Sequence, residues 1–236
     1  MTALTAIRLS PKNVDGSALT ADGDFDADVC IVGSGAGGAV TAAVLTAAGK
    51  SVILIEEGGY YTSDDFTTRE RDMMPKLYQE GGQRTTADLG ISILQGRAVG
   101  GTTVVNWTTS FRTPEDVVEH WATKHAVGGF AYSDLVPHWD WIEKRLGITK
   151  VTPESMNPNN RTLYDGCKSL GWEVDTLKRN VVACLQTGMC GLGCPVNAKR
   201  SMLVTMIPDA VDGGARVVFR ARALRFVTEG ATIKEL

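Results

Sequence analysis

The sequence lacks the features that mark several large classes of protein. Its 24 lysines and arginines against 27 acidic residues give a net charge of −3, without the basic excess typical of nucleic-acid-binding proteins. Residues 1–25 contain neither the cationic start nor the apolar segment of a secretory signal, which predicts a cytoplasmic location. Five cysteines, an odd number, match no disulfide framework. The three histidines have no serine, cysteine or carboxylate partner in a recognisable arrangement, so no catalytic residue is assigned.

One uncharged stretch has to be distinguished from a membrane span. Residues 29–49 carry no charge over 21 positions, which would be long enough to cross a bilayer. Closely spaced glycines and a composition rich in alanine rather than leucine favour a soluble unit instead. We therefore predict no transmembrane segment.

The same stretch has the pattern of a strand, a glycine turn and a helix. Val29 to Val32 is a short apolar run of the kind that a strand buried on both faces requires. In the motif that follows, Gly33 permits a tight turn, Gly35 lets the backbone approach a pyrophosphate, and Gly38 lets the helix pack closely on the strand. A helix start offers free N–H groups and a favourable dipole to an anion.

An acidic residue completes the dinucleotide-binding pattern. Val52 to Ile55 predicts the second strand, and Glu56 lies 18 residues after Gly38, close to the spacing at which a carboxylate meets a ribose hydroxyl. The alternative is that the glycines form a turn with a purely structural role. The agreement of strand, helix and acid favours dinucleotide binding, with an NAD-linked dehydrogenase as the weaker enzyme alternative.

A second glycine-rich stretch runs from Gly96 to Trp107. It combines Arg97, paired glycines, two threonines and Asn106 at the head of an apolar segment. This composition suits a second close approach of backbone to a ligand. An ordinary loop explains the stretch about equally well when it is taken alone.

Three cysteines form the group that could hold a metal. Cys184, Cys190 and Cys194 lie on a glycine-rich loop and could ligate an iron–sulfur cluster or zinc. Their spacing matches no common zinc pattern, so a disulfide or buried thiols remain open. Further along, we predict that Arg216 to Phe219 begins a β-meander. We predict that Glu229 and Gly230 form a hairpin turn.

Taken together, these motifs resemble the glucose–methanol–choline (GMC) oxidoreductase family of FAD-dependent enzymes. The match is closest to the long-chain alcohol oxidase and cholesterol oxidase-like branches. It rests on motifs that occur in the family's order: Gly33-x-Gly35-x-x-Gly38, Glu56 with Gly58, Gly96-Arg97-x-Val-Gly100-Gly101-Thr102-Thr103-x-x-Asn106-Trp107, Arg112-Thr113-Pro114, Cys190-Gly-x-Gly-Cys194 with Ala198-Lys199, and Ala221-x-Ala223-x-Arg225.

The resemblance implies a set of cofactor contacts. The first glycine turn would bind the FAD diphosphate and Glu56 the adenosine ribose, whereas Arg97 and the second glycine stretch would line the diphosphate and flavin side. Asn106 would lie near the isoalloxazine ring, and the backbone of Ala223 would meet the adenine. Some relatives attach FAD through a histidine where this chain has Val105, so the flavin is predicted to be non-covalent. The full predicted set is Gly33, Ser34, Gly35, Ala36, Gly37, Gly38, Glu56, Glu57, Arg97, Gly100, Gly101, Thr102, Asn106 and Ala223.

The resemblance also implies a fold and an activity. We expect an α/β, Rossmann-like FAD-binding fold: a polar leader at residues 1–25, an FAD-binding domain at 26–236, and a substrate-domain or cap insertion at about 140–200. The implied activity is oxidation of a CH–OH group, with hydride passing to flavin N5 and a histidine acting as general base.

That histidine motif is absent from the sequence, so the chain is expected to be an N-terminal portion. Two alternatives remain: an FAD-binding fragment without turnover, or a subunit completed by a second chain. The expected partners are a small-molecule alcohol and either an electron acceptor or that second subunit.

Overall fold

The computed structural model describes residues 13–21 and 23–236, which form two units. The first comprises the described residues up to Trp107 together with Cys184–Leu236, and the second is Thr108–Ala183. In chain order the strands are β1 Val14–Asp15, β2 Val29–Val32, β3 Val52–Glu56, β4 Ile148–Lys150, β5 Lys178–Asn180, β6 Arg216–Phe219, β7 Val227–Glu229 and β8 Thr232–Glu235. The helices are α1 Ala36–Ala47, α2 Glu70–Leu77, α3 Glu115–His125, α4 Tyr132–Leu146, α5 Pro158–Ser169 and α6 Met206–Asp212.

A parallel four-stranded sheet organises the first unit, in the order β1-β6-β3-β2. The helix α1 connects β2 to β3, which pair in parallel with Val29 opposite Val52, as the predicted βαβ unit requires. Part of the predicted leader belongs to this sheet, because β1 pairs with β6. The leader's residues 1–12 and 22 lie outside the described residues.

The prediction of a β-meander beginning at Arg216 is wrong. Strand β6 lies between β1 and β3 and runs parallel to both. Val217 and Val218 are both buried, as in a strand covered on two faces, and this apolar run does not alternate as a half-exposed meander strand would. The predicted hairpin turn is confirmed, since β7 and β8 pair antiparallel around Gly230.

Small residues on α1 allow it to pack against α6 in the core of the first unit. The helix α1 packs on α6, and Ala39 and Ala42 are completely buried on its inner side. Met206 and Ala210 of α6 are equally buried. Small side chains on α1 allow the close helix packing that this core requires.

The second unit is mainly helical. It contains α3, α4 and α5 with a short antiparallel pair of strands, β4 and β5. Arg112 binds the carboxylates of Asp140 and Glu143 on α4. This unit overlaps the predicted insertion at about 140–200 in part, and a substrate-domain role stays a prediction. Among the described residues, none of the helices has the length and apolar character needed to cross a membrane.

Candidate cofactor site

The first glycine turn follows β2 directly. Gly33 has φ +92° and donates its N–H to the carbonyl of Ile55 at 2.8 Å, which holds the turn against β3. Gly35 precedes the first residue of α1. A Cβ atom on Gly38 would lie 1.9 Å from the Gly33 carbonyl oxygen, so only glycine permits this packing. The structural reasons predicted for Gly33 and Gly38 are therefore observed.

Among the described residues, nothing covers the outer side of the same turn. A Cβ atom on Gly33 or on Gly37 would meet none of their atoms within 4 Å. Ala36 is the first residue of the 12-residue α1, and no side chain of the described part of the chain caps its start. An uncapped helix start beside open space can bind an anionic group through its backbone N–H groups.

Glu56 lies behind the turn rather than on the surface. It is 6% exposed, and its Oε2 accepts hydrogen bonds from the backbone N–H of Ser34 at 3.0 Å and from the Ser34 hydroxyl at 2.6 Å. Its Oε1 accepts the N–H of Gly58 at 2.9 Å. A carboxylate has about four acceptor positions, so these bonds leave about one for a further donor.

The two glycine-rich stretches lie against each other. The Oγ of Ser34, itself completely buried, accepts the N–H of Gly100 at 3.0 Å. A Cβ atom on Gly101 would lie 2.6 Å from the Cα of Gly35, and Gly101 has φ +56°. The second stretch is therefore part of the same site, which its composition alone left open.

Hydrogen bonds within the second stretch fix its shape. The 3₁₀ helix Gly101–Val104 begins it, and the N–H of Gly96 donates to the Thr102 hydroxyl at 3.0 Å. The Thr103 hydroxyl donates to the Gly100 carbonyl at 2.6 Å and accepts the N–H of Met202 at 2.9 Å. Thr103 thus connects this loop to the segment before α6.

Arg97 and Glu57 lie at the edge of the two loops. The Arg97 Nε is 3.9 Å from a Glu57 carboxylate oxygen, and both side chains are partly exposed. A Cβ atom on Gly58 would lie 2.3 Å from the Arg97 carbonyl carbon, so glycine is required there. The Arg97 backbone is therefore held beside the end of β3, and its partly exposed guanidinium can donate to an anionic ligand.

The segment after β6 runs beside the end of β3. The N–H of Arg220 donates to the Gly58 carbonyl at 2.9 Å, and the N–H of Ala221 to the Glu56 carbonyl at 3.0 Å. Ala223 follows two residues later. The first glycine turn, Glu56 and this segment all follow the carboxyl ends of parallel strands, where ligands of open α/β sheets bind.

Asn106 and Lys199 form a contact that the sequence did not predict. The Lys199 ammonium donates to the backbone carbonyl of Asn106 at 2.8 Å, and Lys199 is 3% exposed. The Asn106 Oδ1 is buried and has no hydrogen-bond partner among the described residues. A single lysine in a loop is normally solvated, so the sequence carries no signal of its burial.

The three candidate metal ligands form no disulfide, and the structure does not gather them into a metal site among the described residues. Among residues 13–21 and 23–236, no group of three or more histidine, cysteine or acidic side chains could hold a metal ion. The Cys184 Sγ accepts the N–H of Gln186, and the Cys194 Sγ accepts the N–H of Lys199, each at 3.4 Å. The disulfide alternative is wrong, and the iron–sulfur alternative receives no support.

Comparisons with families and curated proteins agree with this geometry. A family model described as GMC oxidoreductase matches residues 74–235, and one described as an NAD(P)-binding Rossmann-like domain matches residues 31–98. The chain is 37% identical to a long-chain-alcohol oxidase of Arabidopsis thaliana over 200 residues, covering 85% of this chain and 27% of that protein. It is 28% identical to a cholesterol oxidase of Mycobacterium tuberculosis over 224 residues, covering 82% of this chain and 38% of that protein. The chain thus spans less than half the length of either relative.

Solved structures show the same fold. A pyridoxine 4-oxidase from Mesorbium loti superposes with a TM-score of 0.63 at 18% identity, over 89% of this chain and 45% of that one. A formate oxidase superposes with a TM-score of 0.62 at 18% identity, over 91% of this chain and 42% of that one. The predicted α/β, Rossmann-like fold is confirmed.

Proposed function

Because this chain belongs to the GMC oxidoreductase family, we propose that it is the FAD-binding part of an oxidoreductase that acts on the CH–OH group of an alcohol. The observation that carries the proposal is the joining of two glycine loops through Ser34, Glu56 and Gly100, beside an open helix start. The chain spans 27% of the matched long-chain-alcohol oxidase, so the activity of the whole protein is itself proposed.

The adenosine and diphosphate parts of FAD suit the first loop. The open sides of Gly33 and Gly37 at the start of α1 offer backbone N–H groups to a diphosphate. Glu56 retains about one acceptor position, which suits a single ribose hydroxyl. We assign the adenine to the backbone at Ala223, because the preceding residues are hydrogen-bonded beside Glu56.

The flavin side suits the second loop. Arg97 offers guanidinium donors, Thr102 is exposed, and the unpartnered Oδ1 of Asn106 could accept a hydrogen bond from the cofactor. When bound, FAD would supply the redox chemistry by accepting hydride from the alcohol carbon. The loop residues would bind and orient the cofactor.

We further propose that the flavin is held without a covalent bond. Position 105 is a valine, which has no nucleophilic atom to attach to the flavin, and it is 3% exposed. Acid precipitation of the FAD-loaded protein should leave the flavin in the supernatant. Flavin retained in the washed pellet would contradict this proposal.

Anaerobic addition of a long-chain primary alcohol tests the proposed reaction. Bleaching of the visible flavin bands of the FAD-loaded chain would support oxidation of a CH–OH donor. A flavin that stays oxidised with primary and secondary alcohols alike would instead support an FAD-binding chain without turnover. One observation favours this second candidate: the family's catalytic histidine motif does not occur in the sequence, and the rings of His120 and His125 contact each other at 5.2 Å between centroids.

A further inference from the structure

Two charged side chains are buried among the described residues, Glu56 and Lys199. The proposed FAD contacts give a role to Glu56 but none to Lys199. A lysine ammonium is rarely buried, because removing its charge from water is costly. An apolar residue at position 199 would avoid that cost, so the burial of this lysine calls for a physical reason.

Lys199 connects the cysteine loop to the second glycine stretch. Its Nζ lies 2.8 Å from the carbonyl oxygen of Asn106 and 2.8 Å from that of Cys190. Its own backbone N–H donates to the Cys194 Sγ. The loops also touch beside this ammonium, since a Cβ atom on Gly191 would lie 3.1 Å from the Trp107 ring.

These contacts fix the backbone of Asn106 on both sides of its Cα atom. The N–H of Asn106 donates to the Thr102 carbonyl at 2.9 Å, and its carbonyl accepts from Lys199. The side-chain Oδ1 has no partner among the described residues. Because the backbone is fixed at both ends, the side-chain amide is restricted to a small range of positions.

We propose that Lys199 is a positioning residue that holds Asn106 so that its side-chain amide meets the flavin end of FAD. This inference rests on the proposed function. A flavin N–H or a ribityl hydroxyl would supply the donor that Asn106 Oδ1 lacks. Lys199 itself touches only protein in this account, and it acts through the Asn106 backbone.

A double-mutant cycle tests the inference. The four proteins are the unaltered chain, Lys199→Met, Asn106→Ala and the double variant, and FAD affinity is measured by quenching of flavin fluorescence. Lys199→Met should weaken FAD binding about tenfold, the effect of one hydrogen bond. In the Asn106→Ala background it should weaken binding less than about twofold, because the two residues act as one unit.

If Lys199 served only the fold, its replacement would change FAD affinity equally with and without the Asn106 side chain, or would not change it. Lys199→Met leaves the Asn106 and Cys190 carbonyls without their donor, but it also removes the cost of a buried charge, so the variant should keep its cooperative unfolding transition. Equal losses of FAD affinity in both backgrounds would overturn the inference, as would unchanged affinity in Lys199→Met. Lys50→Met is the matched control, because Lys50 is exposed, and it should bind FAD like the unaltered chain.

Hydrogen exchange without FAD separates this inference from the proposed function. Lys199→Met should speed amide exchange in peptides covering residues 102–107 and 190–194, and Lys50→Met should not. Unchanged exchange there would overturn the positioning role even if FAD binds. If the unaltered chain binds no FAD, the proposed function fails and this inference fails with it.

Discussion

The two units bury their apolar side chains to very different degrees. In the first unit, Leu54, Val217 and Met206 are completely shielded from solvent. The edge strand β2 differs from the expectation of burial on both faces, because Cys30 and Val32 are exposed. In the second unit, Val118 is the hydrophobic residue that is buried, whereas Leu163 is 68% and Trp172 64% exposed. The candidate site therefore rests on a packed core, whereas the second unit buries few of its apolar side chains.

The first prediction tests this comparison with one substitution made in each unit. Leu54→Ala should lower the free energy of unfolding by about 2–5 kcal/mol, because it opens a cavity in a packed core. Leu163→Ala should change it by less than about 0.5 kcal/mol, since the side chain is already exposed. Denaturant titrations measure both values. Similar losses from the two variants would contradict the proposed difference between the units.

The second prediction concerns two glycines one position apart. Gly38→Ala should destabilise the chain by about 1–3 kcal/mol or more, because the new methyl group overlaps the Gly33 carbonyl. Gly37→Ala meets open space in the same helix and should leave stability unchanged or raise it by up to about 1 kcal/mol. Thermal unfolding of the pair measures the difference. A Gly38→Ala variant of unchanged stability would contradict the prediction, because it would show that position 38 can move away from the Gly33 carbonyl at no cost.

The third prediction uses a titrating side chain of the first unit. Burial, and then the nearby carboxylate of Asp65, raise the pKa of Tyr60 from 10.0 to about 12. Unfolded chains lose this phenol proton first, so stability is full below about pH 10 and falls as the pH rises towards 12. Tyr60→Phe should reduce that alkaline fall, measured by urea titrations at neutral pH and at about pH 11. An identical fall in the variant would refute the assignment.

The last prediction concerns the ion pair between Arg112 and Glu143 in the second unit. Hydrogen bonds from Arg112 chiefly lower the pKa of Glu143. Its stabilisation is therefore present above the unfolded pKa of about 4.5 and is lost as the pH falls through the lower folded value. Glu143→Gln should cost less than about 1 kcal/mol at neutral pH, because the pair lies near the surface. A larger loss would show that this ion pair organises the unit.

Much of the first unit was predictable from local patterns. The apolar run at Val29, the glycines after it and Glu56 obey spacing rules that hold wherever a strand, a tight turn and a helix follow one another. These rules predicted β2, α1 and β3, and the family resemblance that they supported is confirmed.

The remaining features depend on contacts between residues far apart in sequence. Ser34 meets Gly100 across 66 positions, and Lys199 meets Asn106 across 93. Neither pairing has a local signature, since a serine in a turn and a lysine in a loop are ordinarily solvated. The β-meander prediction for Arg216 failed for a similar reason, because a short apolar run does not reveal which strands it will join.

The visible absorption spectrum of the chain after incubation with FAD and gel filtration tests the proposed FAD site directly. We expect a yellow protein whose flavin co-elutes with the polypeptide and is released by acid. We also expect less bound flavin in Ser34→Ala, because this variant disconnects the two glycine loops. A folded protein that elutes without flavin would contradict the claim that the joined loops form an FAD site.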